Sequence, residues 1–435
     1  MKRVGQLLER IAEPENLRLA YWKAAKGKRG KPDCRAFGER LDWNLDRLRT
    51  ELLSGDVCVG DYYYFTIHDP KKRTICAANF GERVLHHALM NHCEPILERA
   101  AIYDSYACRK GKGRVAAIVR AQGYARGRGW FLKMDIRKYF DTIRHDVLRR
   151  LLGRKIKDCA VLGIFDRILA SHETSEGRGL PIGNLTSQHF ANFYLSPLDR
   201  YVKERLRCGC YVRYMDDFVV WGVCREELRD VRDGIKRFLE DVLGLVLKSN
   251  VALNRTALGM DFLGYRLFPD RTRLARRSKA RFGRKFRWYE SAYLTGQWSA
   301  LVLQQRMQAL LAFVRSAESW AFRTNVIGRF GVVANGLEPG DPRRQLEQQR
   351  QELPVGTAQQ QLAGQQEQQH RVPARSRPSS TCGSVELLVD PAAIPTCGEC
   401  PTQAKKESTP PGVGRMTENS GRGFPPGELF PSKPD

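Results

Sequence analysis

The tetrapeptide Tyr214-Met215-Asp216-Asp217 constrains this chain more than any other stretch. It sits between two short apolar runs, Cys210-Tyr211-Val212-Arg213 and Phe218-Val219-Val220-Trp221-Gly222. Both flanks are rich in β-branched and aromatic residues, which suit the pleated surface of a sheet. The acidic pair then falls at the tip of a hairpin. Neighbouring residues within a strand point to opposite faces, whereas a turn can bring both carboxylates to one edge. Two carboxylates crowded at a strand tip resist ionisation unless cations lie between them. The stretch reads as a cation-binding centre or, more plainly, as a solvated turn.

A second acidic segment favours the first reading. Phe131-Leu132-Lys133-Met134-Asp135 has the pattern of a strand ending in a carboxylate, and Ile136-Arg137-Lys138-Tyr139-Phe140-Asp141 follows. Metal-assisted nucleotidyl transfer uses two divalent ions about 3.5–4 Å apart, with ligands from at least two strands. Mg²⁺ takes a few carboxylates plus substrate oxygens, so a sparse acidic set suffices. Asp135 and Asp216 are the expected catalytic carboxylates and metal ligands, with Asp217 assisting and the Ile136 carbonyl as a backbone ligand to two Mg²⁺. The alternative is that Asp135 caps a loop and Asp216-Asp217 is exposed. It explains either motif alone better than both in this order.

These segments resemble motifs A and C of reverse transcriptases, and the resemblance runs over about residues 1–335. The stretch from Phe65 to Ile75 resembles the fingers segment that grips the incoming triphosphate. This implies that role for Lys71 and Arg73, aimed by a turn at Asp69-Pro70. Ser105 to Gly113 resembles the next block, which implies template contacts for Arg109 and Lys110. Gly179 to Gln188 resembles motif B, with Ile182, Gly183 and Gln188 at the nucleotide and Gly183 allowing close backbone approach. Leu245 to Lys248 resembles motif D, whose lysine protonates pyrophosphate, although the spacing departs from the usual pattern. Gly259 to Tyr265 resembles the primer grip, which implies primer contacts for Leu263 and Gly264, and for Tyr214 and Met215 of motif C. Phe140, five residues past Asp135, matches the aromatic that blocks a ribose 2′-hydroxyl and so selects DNA as product.

The resemblance implies an α+β right-hand polymerase with an antiparallel palm sheet and a mostly helical thumb. Residues 1–130 would hold N-terminal helices and fingers, 131–268 the palm, and 269–335 a basic helical thumb. Residues 336–435 would be a low-complexity tail, disordered by composition. Template RNA, a DNA primer and its cDNA, and dNTPs are the implied partners.

Motif B narrows the resemblance. Most reverse transcriptases have Gln before the glycine and Pro after the serine, where this chain has Ile182 and Gln188. Ile-Gly-Asn-Leu-Thr-Ser-Gln is similar to the enzymes of diversity-generating retroelements. Those copy a template-repeat RNA, misincorporate opposite its adenines, and work with a small basic accessory variability protein oligomer. An apolar side chain offers shape without hydrogen bonds, and hydrogen-bonded sites reject wrong partners better. Two rivals stay open. One is a faithful reverse transcriptase of a group II intron, retron or defence system; the other is a non-catalytic RNA-binding or splicing-helper protein. The tail adds a hint. Its Gln runs, such as Gln359-Gln360-Gln361, become Asn runs if CAA codons are read one base later. Residues from about 336 would then be an out-of-frame reading of the template repeat, which the coding DNA decides.

Charge agrees with a polyanionic partner. The 435 residues carry a net +25, yet residues 336–435 hold 11 Lys and Arg against 12 Asp and Glu, so the whole excess lies before them. Basic residues from Arg271 to Arg287 interleave with Phe282, Phe286, Trp288 and Tyr289, as expected of a helix packing one face and presenting the other to phosphates. No apolar run is long enough to span a membrane and the first residues lack a signal-peptide core, so no membrane role and a cytoplasmic location are expected. Twelve scattered cysteines, with Cys397-Gly398-Glu399-Cys400 as the one C-x-x-C, point to reduced thiols rather than zinc. Adjacent His86 and His87 face different ways, which suits structural roles. Helices are expected from Val4 to Ile11, Arg83 to Met90 and Asn184 to Leu195.

Overall fold

Alternation along three strands builds the centre of the molecule. The computed structural model describes residues 3–68 and 72–330. Lys71, the Asp69-Pro70 turn and the tail from 336 lie outside the described residues. The strands are β1 (Tyr62–Ile67), β2 (Arg73–Ala78), β3 (Trp130–Asp135), β4 (Tyr211–Tyr214), β5 (Asp217–Gly222), β6 (Ala252–Arg255), β7 (Met260–Phe262), β8 (Tyr265–Leu267) and β9 (Thr272–Leu274). β1 and β2 form a separate antiparallel hairpin. The central sheet has the order β4-β5-β3-β6, and β7-β8-β9 make a small third sheet. All the strand pairs are antiparallel.

Because side chains alternate along a strand, the central sheet separates two cores. Leu132, Met134, Tyr211, Phe218 and Val220 enter a large core with Leu17, Leu45, Leu85, Leu148, Ile164 and Phe190 from the surrounding helices. Phe131, Val212, Val219 and Trp221 enter a second core with Phe262, Tyr265, Phe282, Phe286 and Met307. The second core carries the basic helix Arg276–Leu294, where Phe282 and Phe286 are buried with ring centroids 6.0 Å apart. Arg284 and Arg287 stay exposed on the same helix. The described residues thus have the expected α+β architecture with an antiparallel central sheet.

Helix bounds follow local capping rather than periodicity alone. The helix expected from Val4 begins only at Leu8. Val4 instead pairs with Ile156 in a parallel bridge. Gln6 turns the chain at φ 54°, and the Asp158 carboxylate accepts the Leu7 and Leu8 N–H groups at 2.8 and 3.0 Å. The helix expected over Arg83 to Met90 runs from Phe80 to Glu98, started by the Asn79 side chain accepting from the Glu82 N–H. The helix after motif B spans Leu185–Tyr194. All nine cysteines among the described residues are free thiols. No helix among these residues is long and apolar enough to cross a membrane.

Candidate active site

Strand pairing brings the acidic residues together. Asp135 ends β3 directly opposite Asp217, the first residue of β5, and directly opposed residues share one face of a sheet. Tyr214 pairs with Asp217, so Met215 and Asp216 form a two-residue hairpin turn. Met215 takes φ 59°, the left-handed conformation that tight hairpins require and that costs a non-glycine residue about 1 kcal/mol. The turn is tied down on two sides. Ile136 N–H donates to the Asp216 carbonyl at 3.3 Å, and the Arg213 guanidinium donates to the Met215 carbonyl at 3.1 Å. On the outer side of Asp135 the chain pairs with residues 246–248. Arg137 N–H donates to Val246, and Lys248 N–H donates to the Asp135 carbonyl, both at 2.8 Å.

This crowding shows in the electrostatics. Burial first, and then repulsion from Asp135, raises the Asp216 carboxyl to about 6. Burial raises Asp217 to about 7, although Lys133 pulls the other way. Two ammonium groups serve as counterions: Lys133 Nζ lies 3.2 Å from Asp217 Oδ2, and Lys248 Nζ 2.5 Å from Asp135 Oδ2. Oδ1 of Asp135 and Oδ1 of Asp217 are buried with no hydrogen-bond partner among the described residues. Among those residues no three His, Cys, Asp or Glu side chains converge as a ready-made metal cage. The donor set nonetheless fits a hard cation of the Mg²⁺ type, which binds through a few carboxylates and completes its shell with water and substrate oxygens. The unpartnered carboxylate oxygens would be the protein's ligands to such an ion.

The other expected residues divide into groups. Phe140 and motif B meet: Leu180 N–H donates to the Phe140 carbonyl at 2.8 Å, and two residues on the Ile182 carbonyl accepts from Cys76 N–H of β2 at 2.8 Å. Gly183 takes φ 125°, and a Cβ there would stand 2.8 Å from Ile75 Cγ2 and 3.2 Å from the Cys76 carbonyl oxygen. The close approach that demands glycine is therefore first to β2. Arg73 is exposed at the start of β2, opposite Ile67. Gln188 is exposed, with Cys108 Sγ 3.7 Å from its Oε1. Leu263 and Gly264, at φ 49° and 90°, form the tight turn between β7 and β8. Phe262 lies beneath Lys133, whose Nζ is 5.9 Å from the ring centroid, so this hairpin stands on the acidic face of the sheet.

Arg109, expected at the template, makes its contacts within the chain. Its guanidinium is spent on Glu98 at 2.7 Å and on the carbonyls of Ile102 and Ser105 at 2.5 and 2.6 Å. It clamps a loop. Lys110 is exposed, with Glu94 at 3.5 Å.

Residues 68–267 match the family model described as reverse transcriptase (RNA-dependent DNA polymerase). These residues are a reverse transcriptase domain. The chain is 27% identical over 282 residues to protein YkfC of Escherichia coli, covering 54% of this chain and 74% of that protein. It is 21% identical over 257 residues to a COX1/OXI3 intron 2 protein of Saccharomyces cerevisiae, covering 44% of this chain and 30% of that one. The group II intron-encoded protein LtrA of Lactococcus lactis is 28% identical over 142 residues, 31% of this chain and 23% of LtrA. The chain thus spans less than a third of the length of both intron proteins. Among solved structures, apo telomerase from Candida tropicalis matches at 12% identity with a TM-score of 0.41, over 66% of this chain and 64% of that one.

Within the reverse transcriptase domain, one set of residues escaped sequence reading. Arg213 and Asp199 are both fully buried and form a two-pronged ion pair at 2.7 and 2.6 Å. Tyr211 donates to the same carboxylate at 2.9 Å, and Arg213 also reaches the Asn192 side chain at 2.9 Å. The network joins the helix after motif B to the turn that carries Asp216. The available signal was a lone arginine inside the apolar run Tyr211-Val212-Arg213-Tyr214: a buried charge needs a partner. Lys133, inside the β3 run, carries the same signal.

Proposed function

We propose that this protein extends a DNA primer along an RNA template by nucleotidyl transfer. The observation that carries the reading is the strand register, which sets Asp135 opposite Asp217 with Asp216 in the adjoining turn and leaves one carboxylate oxygen of Asp135 and one of Asp217 unpartnered. Asp135 and Asp216 would hold two Mg²⁺ ions, with Asp217 and the Ile136 carbonyl in support. When bound, the ions supply Lewis acidity at the primer hydroxyl and at the triphosphate. The chain's own residues do the rest. Lys248, whose ammonium lies at Asp135, would give a proton to the departing pyrophosphate. Phe140 and Ile182, joined through Leu180 and β2, bound the nucleotide's sugar side. Lys71 and Arg73 would meet the triphosphate, and Lys110, Tyr214, Met215, Leu263 and Gly264 the nucleic-acid strands.

The finer reading is a diversity-generating retroelement enzyme that errs at template adenines and works with an accessory protein oligomer in the cytoplasm. Ile182 supports it, because an apolar side chain replaces a hydrogen-bonding one beside the nucleotide. A second reading, a faithful intron-type enzyme, is favoured by the similarity to intron-encoded proteins. Primer extension on an adenine-containing RNA, with the products sequenced, separates them. Errors concentrated opposite adenine are expected. A uniform low error rate favours the intron type, and no extension in the presence of native RNA and accessory protein refutes polymerase activity.

A further inference from the structure

A cavity of about 420 Å³ opens between the end of the helix His145–Gly153, the helix Ser196–Arg200 with the π-helical turn Tyr201–Arg205 that follows it, and Phe238, and none of its lining residues belongs to the candidate active site. Its chemistry is distinctive. Arg154, Lys155, Arg200 and Arg205 line it, against one acid, Glu204. None of the ion pairs among the described residues involves Arg154, Lys155 or Arg205. Arg200 makes one long bond of 3.4 Å to the Ala100 carbonyl. Such cations usually scatter or find carboxylates; four gathered on one concavity favour an anion.

The remaining walls are aromatic. Tyr201 and Phe238 stack with centroids 4.4 Å apart and planes 18° apart, and Phe193 is buried beside them. Ser196 is 5% exposed and lines the cavity, and its Oγ is buried with no hydrogen-bond partner among the described residues. The volume lies in the range of small-ligand sites, about 300–1,000 Å³.

We propose that this cavity is a second nucleotide site, which seats one phosphorylated nucleobase of an RNA strand away from the reacting end. The cations take the phosphate, and the Tyr201–Phe238 face takes the base. Single-stranded RNA is read in this way, by aromatic stacking beside a cationic track. The site would hold the RNA scaffold while the template moves through the active site.

The test uses the full chain and a single-stranded RNA carrying 4-thiouridine. The expected result is a photo-crosslink to the peptide containing Tyr201 or Phe238. Lys155→Glu combined with Arg200→Glu should weaken RNA binding about tenfold, and Tyr201→Leu about fivefold. Extension of a short primer–template at saturating concentration should stay unchanged in both. If the charge reversal unfolds the chain, Tyr201→Leu carries the test, with melting temperature as the folding control. AMP that blocks the crosslink supports nucleotide recognition and measures how far a free nucleotide suffices. Crosslinks elsewhere with unchanged affinities overturn the proposal, as does inorganic phosphate competing as well as AMP.

Discussion

Asp217 has a carboxyl raised to about 7, and Asp216 one raised to about 6, because both are buried beside like charge. The sign of the consequence is fixed. A folded-state value above the unfolded one means that the native protein holds protons the unfolded chain has released. Stability of the metal-free protein therefore falls as pH rises from about 4 through 7. Asp217→Asn should flatten that decline and raise stability at pH 8 by roughly 1–2 kcal/mol in EDTA, read by urea unfolding, while lowering extension. Equal stability of the two proteins at pH 8 would mean that the carboxylate is not strained. If Ile182 borders the nucleotide as proposed, Ile182→Gln should reduce misincorporation opposite adenine. An unchanged error spectrum in sequenced products would remove Ile182 from fidelity.

The hairpin of β4 and β5 is the element on which the site depends, and it is held from behind. Arg213→Met leaves Asp199 buried without its partner, which typically costs about 3–5 kcal/mol. Chemical denaturation should show that loss, and Arg213→Met with Asp199→Leu should recover part of it. Gly183→Ala should lower the melting temperature and disturb the contact with β2, since the added methyl meets Ile75 and Cys76; a wild-type melting temperature would contradict the packing. At this scale the sequence was readable where partners are close along the chain. The Tyr214–Asp217 turn and the strand ending at Asp135 carry their own patterns of alternation and turn. It was unreadable where a distant partner decides. Val4 looked helical until Ile156 was seen pairing with it. Arg213 looked out of place until Asp199, Tyr211 and Asn192 accounted for it.

Over the whole molecule, the positive excess lies outside the neutral tail. RNA affinity should therefore fall steeply with salt, by about tenfold or more between 50 and 200 mM, with a linear dependence of log affinity on log salt. An affinity indifferent to salt would assign binding to apolar contacts instead. In the proposed account charge would hold the nucleic acid, while the two cores hold the central sheet and the sheet carries the acidic residues at one end. The most direct test of that account is single-turnover extension of a DNA primer on RNA by wild-type, Asp135→Asn and Asp216→Asn proteins, with Mg²⁺ and RNA binding matched. The account predicts Mg²⁺-dependent extension by the wild type and a loss of about a thousandfold or more in each variant. Extension by either variant at a rate close to wild type would contradict it.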